Sequence, residues 1–185
     1  MSKPDPPKPS SRYLRYASWF LPAALLTWGA HEGAHWIMGT ALGYDMWITI
    51  NQVGLTSGSY SSSADQFMVS MAGPLITWAQ GGIALWLALR LKDLAVYPFL
   101  FLAVWMRALA WAMSHLSNPN DEAVAGLLIG LPMWILPALS VSLLAYLTVR
   151  GSRATGAGWK ENAVAYVLAS LSSAVVVLSD SWLFG

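Results

Sequence analysis

The chain has 185 residues, of which 56% are hydrophobic and 10% charged, with 11 tryptophans and a net charge of +1. A soluble domain normally carries about 25% charged residues, so this composition excludes a soluble globular protein and predicts an integral membrane protein. The near balance of 10 basic and 9 acidic residues argues against nucleic acid as a partner, and the absence of cysteine excludes disulfides, thiolate metal sites and thiol nucleophiles.

The chain begins with a polar segment and continues as a series of apolar stretches. Residues 1–12 are rich in proline, lysine and serine, which predicts a disordered cytoplasmic tail. Five later stretches each reach the roughly 20 residues that a membrane-spanning helix needs. They cover about residues 16–42, 64–89, 94–115, 123–149 and 161–184. We therefore predict a mainly α, polytopic membrane helix bundle that forms a single transmembrane domain over residues 13–185.

The positions of the basic residues predict the orientation of this bundle. Nine of the ten lysines and arginines fall on one side of the five-span arrangement, and the tenth, Arg107, lies inside the third span. Because cytoplasmic loops carry the excess of basic residues, the N-terminus is predicted to be cytoplasmic and the C-terminus external. We expect the protein in the cell membrane of a bacterium or archaeon, surrounded by lipid.

The segment between the first two spans, residues 44–63, has a different pattern. It contains an alternating stretch, Trp47-Ile48-Thr49-Ile50-Asn51, followed by glycines and a run of serines. Alternation of this kind bounded by turn residues predicts a short β-hairpin. We expect it on the outer face of the membrane.

The first span carries the pattern HExxH, as His31-Glu32-Gly33-Ala34-His35. Two histidines four residues apart lie on one face of a helix, one turn apart, which is the spacing of zinc ligands. In this chemistry the neutral imidazoles of His31 and His35 bind Zn²⁺, and Glu32 serves as the general base that activates water. The alternatives are a polar contact between helices or ligation of another cofactor, such as a haem or a pigment.

A catalytic zinc usually has three protein ligands, so a third donor must come from elsewhere in the chain. The best candidate is Asp121, at the end of the polar turn Ser117-Asn118-Pro119-Asn120-Asp121. Aspartate is also a preferred residue at helix N-termini, so Asp121 has an explanation without a metal. His115 and Glu122 remain alternative ligands.

These residues resemble the site-2 protease family of intramembrane zinc metallopeptidases. The resemblance covers about residues 28–126 and rests on HExxH in a membrane helix, Ala72-Gly73-Pro74 in the next, and Asn118-Pro119-Asn120-Asp121. It implies that His31, His35 and Asp121 are the zinc ligands, that Glu32 is the catalytic base, and that the substrate is a membrane protein.

Three further polar residues are candidates for oxyanion binding or substrate positioning: Arg107, Asn118 and Asn120. Arg107 also has a purely structural explanation, as one member of an ion pair within the membrane. The main alternative to a protease is a catalytically inactive, protease-like subunit that assists or assembles a larger membrane complex with partner membrane subunits.

Overall fold

The computed structural model describes residues 9–184, which fold mainly as α-helices with one short hairpin, and this confirms the predicted fold class. In chain order the elements are α1 (Pro9–Ser18), α2 (Phe20–Ala41), β1 (Met46–Ile48), β2 (Val53–Leu55), α3 (Ser63–Leu91), a 3₁₀ turn (Leu94–Val96), α4 (Tyr97–Ser114), α5 (Asp121–Leu128), α6 (Ile135–Thr155) and α7 (Trp159–Phe184).

Four of the described helical segments are long and apolar enough to cross a membrane: α3, Leu94–Ser114 with α4, α6, and α7 as far as Asp180. The protein is therefore a membrane protein. The sequence predicted five spans, and the first of them, α2, is not among these four segments. This helix has 22 residues, about 33 Å, but its two histidines, one glutamate and several glycines lower its hydropathy. It nevertheless packs against α3, α4 and α7, which buries the face that carries His31, Glu32 and His35.

The predicted fourth span is divided into two helices. α5 ends at Leu128 and α6 begins only at Ile135. Between them Gly130 adopts φ +79°, a left-handed conformation that favours glycine, and the Leu131 amide bonds back to the Gly126 carbonyl. The proline two residues after Gly130 cannot continue the helix. As a result α5 is a separate short helix that packs against α3 and α6.

The N-terminal segment is more ordered than the composition suggested. Residues 1–8 of the predicted tail lie outside the described residues, whereas residues 9–12 form the first turn of α1. Arg12 donates a hydrogen bond of 2.9 Å to the Thr155 carbonyl, and Arg15 pairs with Asp93. Partial burial disfavours the Asp93 anion, but the Ala95 amide and Arg15 outweigh this and lower the pKa of Asp93 below its usual range. These contacts attach α1 to the bundle.

Small side chains allow α2 and α3 to approach each other closely. Ala23 and Ala24 of α2 are fully buried, as is Ala88 of α3, and Ala84 is 3% exposed. Membrane helices commonly pack through such residues because small side chains bring the backbones together. This close packing holds the polar face of α2 directly against α3.

The hairpin lies against α2 and α7. Its strands are antiparallel, with Met46 opposite Leu55. Met46 packs on Gly39 of α2, where an added Cβ would lie 2.6 Å from the methionine sulfur. At the turn, the carboxylate of Asp180 accepts hydrogen bonds from the Thr49 hydroxyl (3.0 Å) and the Ile50 amide (2.8 Å). The end of α7 therefore fixes the position of the turn.

Candidate metal centre

The three residues predicted as metal ligands lie together, with the two histidines buried in the bundle and the Asp121 side chain 34% exposed. The Nε2 atoms of His31 and His35 are 3.1 Å apart. One carboxylate oxygen of Asp121 lies 3.1 Å from His31 Nε2, and the other lies 3.6 Å from His35 Nε2. Both histidines are at most 3% exposed, and they come from adjacent turns of α2, while Asp121 comes from the first turn of α5.

The hydrogen bonds of His31 fix its tautomer. The Arg107 guanidinium, which can only donate, lies 2.9 Å from His31 Nε2, so this nitrogen is the acceptor. The proton of His31 is therefore on Nδ1, and Nε2 presents a lone pair. The Thr77 hydroxyl, 2.9 Å from Nδ1, then accepts from His31 and donates its own proton to the Gly73 carbonyl at 3.1 Å.

His35 has the same tautomer for a similar reason. Its Nδ1 lies 2.6 Å from the backbone carbonyl of Val69, which can only accept a hydrogen bond. The neutral imidazole therefore carries its proton on Nδ1 and a lone pair on Nε2. Contacts of this kind, from the second ring nitrogen to a carbonyl or hydroxyl, orient most metal-binding histidines.

The resulting donor set fits a zinc ion. Two imidazole lone pairs and a carboxylate converge, and none of the three groups has a proton to offer the others. Bond lengths of 2.0–2.1 Å in a tetrahedral zinc site place ligand atoms about 3.3–3.4 Å apart, close to the 3.1, 3.1 and 3.6 Å that separate the two Nε2 atoms from each other and from the two Asp121 oxygens. A cation between these groups would remove the mutual repulsion of their lone pairs.

The charge around the imidazoles also favours a divalent cation. The charged side chains that border the cavity at the ligands or bond to those that do are three carboxylates, Glu32, Asp121 and Glu122, and one guanidinium, Arg107. When all are ionised and the imidazoles are neutral, two negative charges are left unbalanced. An uncompensated charge in a low-dielectric interior is costly, so a divalent cation stabilises this arrangement.

Gly73 leaves the space that the two imidazoles occupy. A Cβ at this position would lie 2.2 Å from His35 Nε2 and 2.6 Å from His31 Nε2. The following residue, Pro74, lies within α3 and lacks an amide proton. In the fold, the glycine of this Gly-Pro pair therefore has a steric role at the two predicted histidine ligands.

A buried ion pair positions Asp121. Arg107 and Glu122 are 2% and 0% exposed, and the Arg107 Nε donates to Glu122 at 2.9 Å. A terminal nitrogen of the same guanidinium donates to Asp121 at 3.1 Å. Asn120 caps α5 by accepting from the Ala123 amide at 3.0 Å. Together these contacts determine where the Asp121 carboxylate lies.

Glu32 lies beside the ligand cluster and borders a cavity of about 700 Å³. The cavity is also bordered by His31, Arg107 and Asp121, and by Asn51 of the hairpin turn, while α4 and α7 supply most of its apolar walls. Glu32 is 8% exposed. Its carboxylate is therefore close to the ligands and next to a space large enough for a peptide segment or water.

The other residues predicted for the site do not belong to the ligand cluster. Asn118 and His115 are exposed, and neither belongs to the ligand cluster. Asn120 caps α5 and also donates to Glu122 at 3.0 Å, so its amide is used within the turn. Glu122, an alternative ligand, bonds to Arg107 instead. Neither asparagine borders the cavity at the ligands.

Two groups important to the site were not predicted. They are the Thr77 hydroxyl and the Val69 carbonyl, which accept from the Nδ1 atoms of His31 and His35. A threonine in an apolar helix and a backbone carbonyl carry no sequence signal of this role. An intramembrane arginine, however, indicates that an acidic partner exists, and Glu122 is one of few acids in the apolar part of the chain.

Comparisons with known proteins identify no relative of this chain. No family model, no curated protein and no solved structure matches the chain significantly.

Proposed function

We propose that the protein is an intramembrane zinc metalloprotease similar to site-2 proteases, which hydrolyses a peptide bond of a membrane protein in or near the bilayer. The proposal depends mainly on one observation, the convergence of two correctly oriented imidazole lone pairs and the Asp121 carboxylate beside Glu32. The resemblance of HExxH, Ala72-Gly73-Pro74 and the turn before Asp121 to that family supports it.

In this proposal His31, His35 and Asp121 hold the zinc ion. When bound, the ion polarises the scissile carbonyl and lowers the pKa of water. Glu32 accepts the proton from the attacking water and returns it to the leaving amine. Because Glu32 borders the cavity, a substrate segment entering there lies beside it.

We assign Arg107 a positioning role rather than oxyanion binding. Its Nε donates to Glu122 and one terminal nitrogen donates to Asp121, so most of the guanidinium is engaged with side chains next to the ligands. These contacts hold the Asp121 carboxylate at the ligand cluster. The buried pair with Glu122 keeps the guanidinium in this orientation, since both side chains are almost fully inaccessible to solvent.

We further propose that the N-terminus is cytoplasmic, that the C-terminus is external, and that the host is a bacterium or archaeon. The support for the orientation is the placement of the basic residues outside the spans. In this orientation the hairpin and the cavity beside Glu32 lie towards the external face. The substrate or partner is then a membrane protein reached from the bilayer or from outside.

The activity can be tested in membranes of cells producing the wild-type protein or Glu32→Gln. New peptide N-termini that appear only with the wild type, identified by mass spectrometry, are the expected result. Zinc content should be the same in both proteins, because Glu32 is not a ligand in the proposed arrangement. Equal cleavage by Glu32→Gln would remove Glu32 from the mechanism.

A second candidate function is that of a catalytically inactive subunit of a larger membrane complex. One observation favours it. An Arg107 nitrogen lies 2.9 Å from His31 Nε2, so the guanidinium donates to the lone pair that a zinc ion would need. If the purified protein takes up no zinc and cleaves nothing, this candidate is preferred. A haem shared by both histidines fits poorly, because Nε2 atoms 3.1 Å apart leave no room for a planar macrocycle between them.

A further inference from the structure

Three neighbouring cavities, together called the groove, lie along the surface formed by α1, α2, α3 and the start of α4. Its first cavity, of about 350 Å³, shares Leu87, Val96 and Phe99 with a second of about 300 Å³. The second shares Arg15 and Asp93 with a third of about 380 Å³. Because neighbouring cavities share lining residues, the three lie in a row with two different ends, and the Arg15–Asp93 pair borders both the second and the third.

The end formed by the first cavity, the apolar end, is lined almost entirely by hydrocarbon. Its walls include Leu26 and Ala30 of α2 and Ile76, Ala79, Ile83 and Leu87 of α3. The only polar side chain there is Gln80, whose amide nitrogen already donates to the Thr27 hydroxyl at 2.8 Å and the Phe99 carbonyl at 3.1 Å. This end is therefore suited to an alkyl chain.

The end formed by the third cavity, the basic end, is positively charged. Arg12, Arg15 and Lys92 line it, and the only acid among its lining residues is Asp93, which pairs with Arg15. Arg12 donates to a neutral carbonyl. Three basic side chains and one carboxylate give the wall of this end a net charge of +2, which attracts an anion, although Asp93 and Glu161 both lie near enough to Arg12 to interact with its charge.

The distance between the two ends matches a membrane leaflet. Ile76 and Leu91 are 15 residues apart on α3, which corresponds to about 22 Å. Half of a bilayer that is about 40–45 Å thick with its headgroups is about 20–22 Å, so the groove is about as long as one leaflet. Trp19 lines the middle cavity and is 41% exposed, a typical position for tryptophan at the level of lipid headgroups.

We propose that this groove binds one anionic phospholipid, with its phosphate between Arg12 and Lys92 and an acyl chain along the apolar end. Charge complementarity at one end and a hydrocarbon wall at the other select this ligand over a zwitterionic lipid or a peptide helix. The basic end lies on the side that carries the excess of lysine and arginine, where anionic lipids are enriched in a cytoplasmic leaflet. The proposal is independent of the metal centre.

Native mass spectrometry of the full chain in a non-ionic detergent tests this site. The protein is titrated with phosphatidylglycerol or with phosphatidylcholine of the same acyl chains. We expect one phosphatidylglycerol per chain, bound at least tenfold more tightly than phosphatidylcholine, and no displacement by inorganic phosphate, because the acyl chain contributes to binding. Equal affinity for the two lipids, or displacement by phosphate, would overturn the proposal.

Two variants separate the two ends of the groove. Arg12→Gln combined with Lys92→Asn removes the unbalanced charge; asparagine is chosen because residue 92 has φ +49°. Two basic side chains contribute roughly 10- to 30-fold to the affinity for an anionic lipid, so the variant should bind phosphatidylglycerol more weakly by this factor. Its affinity for phosphatidylcholine should be unaffected. Ala79→Phe fills the apolar end and should weaken the binding of both lipids.

The matched controls are Arg153→Gln, which removes an exposed basic residue outside the groove, and Ala163→Phe, which adds bulk at an exposed helix position elsewhere. Neither should change lipid binding. Phosphatidylglycerol binding at wild-type strength in both groove variants would refute the site. If the charge variant fails to fold, the Ala79→Phe variant still tests the groove alone.

Discussion

Adding a single methyl group at Gly73 should abolish tight zinc binding while leaving the helix bundle intact. The Cβ of Gly73→Ala would lie 2.2 Å from His35 Nε2 and 2.6 Å from His31 Nε2. Ordinary carbon–nitrogen contacts are about 3.4 Å or longer, so at least one imidazole must move by about 1 Å. Because the closest atoms are the ligand nitrogens themselves, this displacement acts directly on the donor set.

The size of the effect follows from the tolerance of metal coordination. Zinc–nitrogen bonds are about 2.0–2.1 Å long and vary by only about 0.2 Å, so a shift of about 1 Å removes a ligand. Disturbing only the hydrogen-bond partners of a ligand typically costs 10- to 100-fold in affinity, and displacing the ligand should cost at least about 100-fold. Alanine favours the helix by about 1 kcal/mol relative to glycine, so α3 should remain helical.

The assay is a competition titration of the purified protein with a fluorescent zinc chelator, together with metal analysis. Gly82→Ala is the matched control, because it makes the same change in the same helix at a position where an added Cβ meets nothing within 4 Å. The control should bind zinc as the wild type does. Wild-type affinity in Gly73→Ala, with circular dichroism unchanged, would refute the proposed position of the metal.

Three further substitutions test the surroundings of the site. Thr77→Val removes the acceptor of the His31 Nδ1 proton, so zinc affinity in the same titration should fall about 10- to 100-fold. An unchanged affinity would show that this hydrogen bond does not orient His31 for zinc binding. Glu122→Gln removes the main partner of the buried Arg107 and should destabilise the protein by about 3 kcal/mol in a denaturant titration, whereas unaltered stability would contradict the buried pair. Asp180→Ala removes both side-chain hydrogen bonds to the hairpin turn, so hydrogen exchange of the turn amides should accelerate while zinc affinity stays the same. Exchange at the wild-type rate would mean that α7 does not hold the turn.

Part of this arrangement was predictable because it depends on local geometry. His31 and His35 lie on one face of α2 simply because they are four residues apart in a helix. The hairpin at residues 46–55 was indicated by alternating side chains followed by glycine and serine. The membrane character followed from composition alone. In each case the information is contained within a short stretch of chain.

The approach of Asp121 to the histidines was not predictable from spacing, because it depends on how α5 packs. A single helix over residues 123–149 would set Asp121 at the end of a rod of about 40 Å. The break at Gly130 removes this difficulty, since α5 is then free to pack against α3 independently of α6. A glycine in an apolar stretch has several possible roles, and its left-handed backbone is decided only by the tertiary fold.

The steric role of Gly73 could not be predicted for a related reason. Its importance depends on the close packing of α2 against α3 and on the rotation of α3 that turns residue 73 towards the imidazoles. The same rotation brings Thr77, one turn further along α3, to His31. Helix register across an interface is a long-range property, which a single sequence does not contain.

The central claim is that two imidazoles and one carboxylate hold a zinc ion within the bundle. X-ray absorption spectroscopy at the zinc edge, on protein reconstituted with one equivalent of zinc, tests it most directly. The account predicts two histidine ligands and oxygen donors at about 2.0–2.1 Å, with the histidine contribution reduced in His35→Ala. Loss of the zinc during gel filtration, or a spectrum without imidazole scattering, would contradict it.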